Sequence, residues 1–204
     1  MTLSKPKQVV ILGSTGSIGQ QTLSVLRHHS EHYTVFALAA KQSEDVLFAQ
    51  CIAHTPRYAV LSDEAARGRL VQRLADAGSK TTVCAAHELI ALVADSEVDV
   101  VVAAIVGGAG LPPTLAAVKA GKRVLLANKE ALVMAGSLMM QAAADANALL
   151  LPVDSEHNAI FQALPMGYRP GQSLPETVDS LVLTASGGPF LTLPLAEFSS
   201  ITIE

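Results

Sequence analysis

Short aliphatic runs, each followed by a longer stretch of helical periodicity, recur between residues 9 and 153 and leave few folds open to the chain. Residues 9–12, 33–40, 58–61, 98–105, 123–127 and 149–153 read as strands, with 82–85 as a short extra one. The stretches 17–29, 43–54, 63–77, 88–94, 112–120 and 131–146 read as helices, on apolar spacings such as Ile18, Leu23, Val25 and Leu26. Ser43 is placed to cap the second of them. A run that is apolar at every position has to be covered on both faces, which a parallel sheet flanked by helices achieves. Repeated β-α-β alternation with short links therefore predicts an α/β fold built on a doubly wound parallel, Rossmann-type sheet. Right-handed crossovers then bring the loops after the strands to one edge, where ligands collect.

The pattern changes after Asp154. A helix over 158–164, a loop rich in Pro and Gly over 165–175, a strand over 180–184 and a Gly-rich turn over 186–189 are expected. These last residues, roughly fifty of them, are too few for a core of their own. The expected division is a first domain over 1–153 and the truncated beginning of an α+β second domain over 154–204.

The net charge of −4 argues against nucleic-acid and membrane-surface partners, which call for a basic face. Cys51 and Cys84 share no metal-type spacing and fall in aliphatic surroundings, so both are expected to be reduced and buried. The N-terminus runs into the first strand without a signal or transit pattern, and the apolar stretch 100–111 is too short for a span and broken by Gly107, Gly108 and Gly110. A cytoplasmic, soluble chain is expected.

The first strand runs directly into Gly13-Ser14-Thr15-Gly16-Ser17-Ile18-Gly19 and then a helix. Small residues there let the backbone approach a pyrophosphate, whose charge is received by N–H groups at the helix N-terminus. A plain strand-to-helix turn is the alternative, but three glycines and three hydroxyls exceed what a turn needs. NAD enzymes place an acidic residue about 20 residues further on to hold the ribose 2′-OH. Here that place holds Ala40-Lys41-Gln42-Ser43, with no carboxylate until Glu44, so a 2′-phosphate and hence NADP are favoured.

Two further polar clusters follow strands. Asn128, Lys129 and Glu130 lie at the ligand-binding edge, able to contact a nicotinamide, ribose or phosphate; an N-cap with a first-turn carboxylate is the alternative, and the two roles can coexist. Asp154, Ser155, Glu156 and His157 form the densest polar group in the chain. Its two carboxylates suit Mg²⁺ or Mn²⁺ better than zinc, since one His and no Cys is adjacent, and a third ligand has to come from elsewhere. A helix start with Asp154 or Ser155 as N-cap accounts for the same residues. Ser186, in Ser186-Gly187-Gly188, offers a weak anion-binding turn.

Taken in order, GSTGSIG at 13–19, AAIVGGAGL at 103–111, LLANKEAL at 125–132, LPVDSEHNAIFQAL at 151–164 and LTASGGPF at 183–190 resemble the 1-deoxy-D-xylulose 5-phosphate reductoisomerases over essentially the whole chain. The resemblance implies NADPH contacts from Thr15, Gly16, Ser17 and Ile18 to the phosphates, from Ala40, Lys41 and Gln42 to the adenosine end, and from Asn128 and Glu130. Ala40 departs from the Gly often found there in the family. Lys129 is implied as catalytic and substrate-facing, Asp154 and Glu156 as catalytic ligands of Mn²⁺ or Mg²⁺, and Ser155, Glu156 and Ser186 as substrate contacts. The implied reaction converts 1-deoxy-D-xylulose 5-phosphate into 2-C-methyl-D-erythritol 4-phosphate by a metal-assisted rearrangement followed by hydride transfer. The family also uses a second-domain His, an Asn-Lys pair, a third acidic ligand, a lid and a homodimer, so this chain is expected to be an incomplete, inactive portion. Two other readings stay open: a two-domain NADP dehydrogenase of semialdehyde type, and a non-catalytic NADP-binding module.

Overall fold

A computed structural model describes residues 5–183 and 188–202. Seven strands, β1 (Lys7–Leu12), β2 (Tyr33–Ala40), β3 (Tyr58–Leu61), β4 (Thr82–Cys84), β5 (Val100–Ala103), β6 (Arg123–Leu126) and β7 (Leu149–Pro152), form one sheet in the order β4-β3-β2-β1-β5-β6-β7. Every pairing is parallel. The doubly wound sheet expected from the sequence is therefore the fold.

Alternation along the strands divides the core in two. Val9 and Ile11 of β1 face α1 (Ser17–His28), α2 (Glu44–His54) and α3 (Glu64–Asp76), through Leu23, Leu26, Leu47, Cys51, Leu70 and Leu74. Val10 and Leu12 face the other layer, α4 (Leu89–Ala94), α5 (Leu111–Lys119) and α6 (Lys129–Ala146), through Leu92, Val93, Val118, Met139 and Ala143. Helices on both faces explain why the strands carry no polar side: each face is interior. β1 has β2 on one side and β5 on the other, so the chain order reverses between β1 and β5, and the loops leaving these strands part to open a crevice.

Several boundaries differ from expectation for local reasons. Asp63 caps α3 by accepting from the Ala66 N–H at 2.8 Å, whereas Ser43 stands at the N-cap of α2 and makes no capping bond. The helix α6 begins at Lys129 and contains a break at Ala135, whose φ of −146° and ψ of 31° are not helical. The helix expected from Asn158 begins three residues earlier, as α7 (Ser155–Ala163). The strand expected over 180–184 does not form in its described part: residues 180–183 carry no strand, and Leu181, Val182 and Leu183 are exposed. A strand needs a neighbour for its backbone groups, and among the described residues no strand follows β7. No helix among the described residues is long and apolar enough to cross a membrane.

Candidate functional site

The sharp turn after β1 is dictated by packing. Gly13 has φ of +81°, and a Cβ there would lie 2.5 Å from the Ala104 carbonyl oxygen of the loop after β5. A Cβ on Gly19 would lie 2.5 Å from both the Gly13 carbonyl oxygen and the Ser14 Cα. Gly13 thus lets two strand ends close up, and Gly19 lets the first turn of α1 fold back on the loop. Gly16 is different: its φ is −76°, and a Cβ would meet only the Gly13 oxygen, at 3.4 Å. The fold itself does not require glycine there, whereas close approach by a ligand does.

The loop presents donors. Gly13 and Ser14 give their N–H groups to Ala39, and Gly16 gives its own to Gly13. Among the described residues, the N–H groups of Thr15, Ser17 and Ile18 meet no protein acceptor. The first turn of α1 holds no acidic residue. A helix N-terminus left open in this way is arranged for an anion.

The loop, through Gly13, Thr15 and Gly16, borders a cleft of about 740 Å³ between the loops after β1 and β5. Of the residues the sequence singled out, Thr15, Gly16, Ala40 and Lys41 line it. Ser17 is exposed at the start of α1, Ile18 packs partly against the core, and Gln42 is exposed one residue beyond Lys41. The opposite wall is apolar, from Leu89, Ile90, Ile105, Val106, Pro112 and Pro113. Sequence reasoning gave those residues no role; the only signal was the apolar run following β5. A second groove, about 590 Å³, lies at the N-terminal edge of the sheet around Thr34, Arg57 and Lys80. Arg57 is already engaged there by Glu97 at 2.6 Å and stacks on Tyr58, so the cleft at the carboxyl edge is the better candidate.

Asn128 is 1% exposed and fully engaged. Its Nδ2 donates to the carbonyls of Ile105 at 2.6 Å and Gly107 at 3.1 Å, and its Oδ1 accepts from the Ala131 N–H at 3.1 Å, capping α6. Gly110 has to be glycine beside it, since a Cβ would lie 2.4 Å from that Nδ2. Asn128 thereby ties the cleft wall to the start of α6, on whose first turn Lys129 is exposed and Glu130 half-buried. Lys129 shares a small cavity of about 180 Å³ with Asp154 and His157.

Asp154 is the N-cap of α7, but its carboxylate makes no capping bond. Ser155 and Glu156 occupy the first turn, exposed, with the Ser155 hydroxyl 3.4 Å from a Glu156 oxygen. Asn158 steadies the turn by donating to the Pro152 carbonyl at 2.8 Å. The carboxylates of Asp154 and Glu156 are hard oxygen donors that form no ion pair among the described residues, the chemistry that suits Mg²⁺ or Mn²⁺. Among the described residues no group of three His, Cys, Asp or Glu side chains comes together. Ser186 lies outside the described residues.

Known proteins place this arrangement. The family model of 1-deoxy-D-xylulose 5-phosphate reductoisomerase matches residues 9–136, and the model of that family's C-terminal domain matches residues 150–204. The chain is 52% identical to the 1-deoxy-D-xylulose 5-phosphate reductoisomerase of Cellvibrio japonicus, covering 99% of the chain and 52% of the relative, and 54% identical to that of Saccharophagus degradans, covering 96% and 50%. It spans about half the length of these curated relatives. A crystal structure of DOX-P reductoisomerase in complex with NADPH, fosmidomycin and magnesium superposes with a TM-score of 0.83 at 41% identity, covering 96% of the chain and 49% of that structure. The Zymomonas mobilis reductoisomerase in complex with NADPH superposes at 0.82 and 42% identity, covering 95% and 49%. The open phosphate loop, the cleft at the β1–β5 crevice and the polar turn after β7 thus belong together in one lineage, and the chain is a member of the 1-deoxy-D-xylulose 5-phosphate reductoisomerase family.

Proposed function

We propose that this chain is the NADPH-binding portion, with part of the active site, of an enzyme that converts 1-deoxy-D-xylulose 5-phosphate into 2-C-methyl-D-erythritol 4-phosphate. The observation that carries the reading is that the N–H groups of Thr15, Ser17 and Ile18 meet no acceptor among the described residues, in a loop whose Thr15 and Gly16 line the cleft. In this proposal residues 1–153 form the cofactor domain and 154–204 begin the catalytic one. Thr15, Gly16, Ser17 and Ile18 receive the pyrophosphate. Ala40, Lys41 and Gln42 take the adenosine end, where the Lys41 cation meets the 2′-phosphate. Asn128 holds the cleft wall and the start of α6, which brings Glu130 to the cofactor and Lys129 to the substrate.

Asp154 and Glu156 hold Mg²⁺ or Mn²⁺, with Ser155 and Ser186 on the substrate beside Glu156. Their uncommitted oxygens support this assignment, since Mg²⁺ binds through one or two carboxylates and keeps other positions for substrate. When bound, the cation and NADPH supply charge stabilisation at substrate oxygens and hydride for the aldehyde, respectively. A pair without a third ligand among the described residues supports a chain that binds cofactor without turnover. The whole enzyme is read as a cytoplasmic homodimer acting on a small sugar phosphate, with neither nucleic acid nor membrane as partner. Two free, buried cysteines agree with a reducing compartment, and burial pushes the Cys51 thiol up to about 12.

Titrating the chain with NADPH and NADH tests the reading. Tighter binding of NADPH is expected, with the preference falling about tenfold in Lys41→Met, as the loss of one charged contact implies. Tighter NADH binding by the unmodified chain would sink the role given to Lys41.

A further inference from the structure

The phosphate loop is held from beneath by a residue with no part in the site as described so far. Gln50 sits on the inward face of α2, 8% exposed, beside the core residues Leu47 and Cys51. Its Nε2 donates to the Ser14 carbonyl at 2.8 Å, a contact linking residues 36 apart in the chain. A glutamine at a core position is costly unless its polar atoms are matched. Yet the Gln50 Oε1 and the Ser14 hydroxyl oxygen are both buried without a partner among the described residues. An apolar side chain of the same size would fill the position without that penalty, so the single bond to Ser14 is the feature glutamine adds.

That bond fixes a direction. A trans peptide holds its C=O and the following N–H on opposite sides, and the chain has no cis peptide among the described residues. With the Ser14 carbonyl drawn inward to Gln50, the Thr15 N–H is turned outward, and Thr15 lines the cleft. The next peptide is held as well, by the Gln20 Nε2 on the Thr15 carbonyl at 2.7 Å and by the Gly16 N–H on Gly13 at 3.1 Å.

We infer that Gln50 is a positioning residue for dinucleotide binding: by holding the Ser14 carbonyl inward, it presents the Thr15 N–H to the cofactor's pyrophosphate without touching the cofactor. The inference rests on the reading of the loop as the NADPH phosphate site. The test titrates the 204-residue chain and its Gln50→Met variant with NADPH and, separately, with adenosine 2′-monophosphate, which carries the 2′-phosphate but no pyrophosphate. Methionine keeps the volume and removes the donor. NADPH binding is expected to weaken about tenfold, the scale of one hydrogen bond to a charged group, while adenosine 2′-monophosphate binds as before. The Thr15 amide resonance, moved by NADPH in the unmodified chain, is expected to move less in the variant. Unchanged NADPH affinity overturns the inference and leaves the site intact. Equal weakening of both ligands marks a general structural role and overturns it too. If the unmodified chain binds no NADPH, the site reading falls and the inference with it. Gln50→Leu, which also removes the donor and leaves no polar atom to satisfy, repeats the comparison if the methionine variant does not fold.

Discussion

Three glycines in one loop carry three different burdens, and single methyl groups separate them. Gly19→Ala would set a Cβ against backbone atoms at 2.5 Å, which cannot be relieved by turning a side chain. Its expected cost is roughly 2–4 kcal/mol of stability, read as a lowered midpoint in urea. Gly16→Ala meets nothing closer than 3.4 Å and should leave that midpoint within about 1 kcal/mol. On the proposed reading of the loop, NADPH affinity should nevertheless fall about tenfold or more, because the methyl would stand where the pyrophosphate approaches. The glycine spacing was legible in the sequence; which glycines the fold requires was not, since that depends on how the loop folds back on itself at Gly19 and, for Gly13, on Ala104 brought in from the loop after β5. Gln50 was hidden for a related reason. A polar residue in a helical pattern reads as solvent-facing until the helix is docked.

At the scale of elements, the strands and helices of the sheet were legible because their periodicities are long and unbroken. The failures cluster where tertiary partners decide. The break at Ala135 leaves no trace in composition, and the apolar residues at 181–183 read as a strand although, among the described residues, no strand pairs with them. Asn128 was legible as the N-cap of α6, but not in its bonds to Ile105 and Gly107, which lie on a different β-α unit. Asn128→Ala should cost about 2–4 kcal/mol, combining a lost cap with two part-buried carbonyls left without their donor. Asn128→Asp should not restore the loss: it keeps the cap oxygen but has no N–H for those carbonyls. Chemical denaturation of the two variants distinguishes capping alone from the full tie.

The molecule as a whole is expected to weaken toward acid in two stages. Burial, aided by Arg27, holds the His54 imidazole below its ordinary value of 6.5. Arg73, joined by Arg69 and opposed by burial, holds the Glu44 carboxyl below 4.5. In each case the unfolded chain takes up a proton before the folded one does, so stability is full above the ordinary value and is lost as the pH falls through the lowered one. Thermal midpoints measured from pH 7.5 to 3.5 should drop first below about 6.5 and again below about 4.5. His54→Asn should flatten the first stage and Glu44→Gln the second. An unchanged profile in Glu44→Gln would remove the Arg69–Glu44–Arg73 group from the acid response.

The reversal of strand order beside β1 also has a consequence in time. The phosphate loop and its helix are contiguous in sequence, but the cleft they face is closed only when β5 pairs with β1, where Gln8 donates to Asp99, 91 residues further on. Joining segments so distant costs loop entropy before any contact offsets it, and such pairings form slowly. During synthesis the loop after β1 therefore emerges well before the residues of its apolar wall, and the cleft can be complete only once β5 has joined β1. Pairing of β5, which brings in Ile105 and Val106, is the event that gives the loop after β1 its apolar wall.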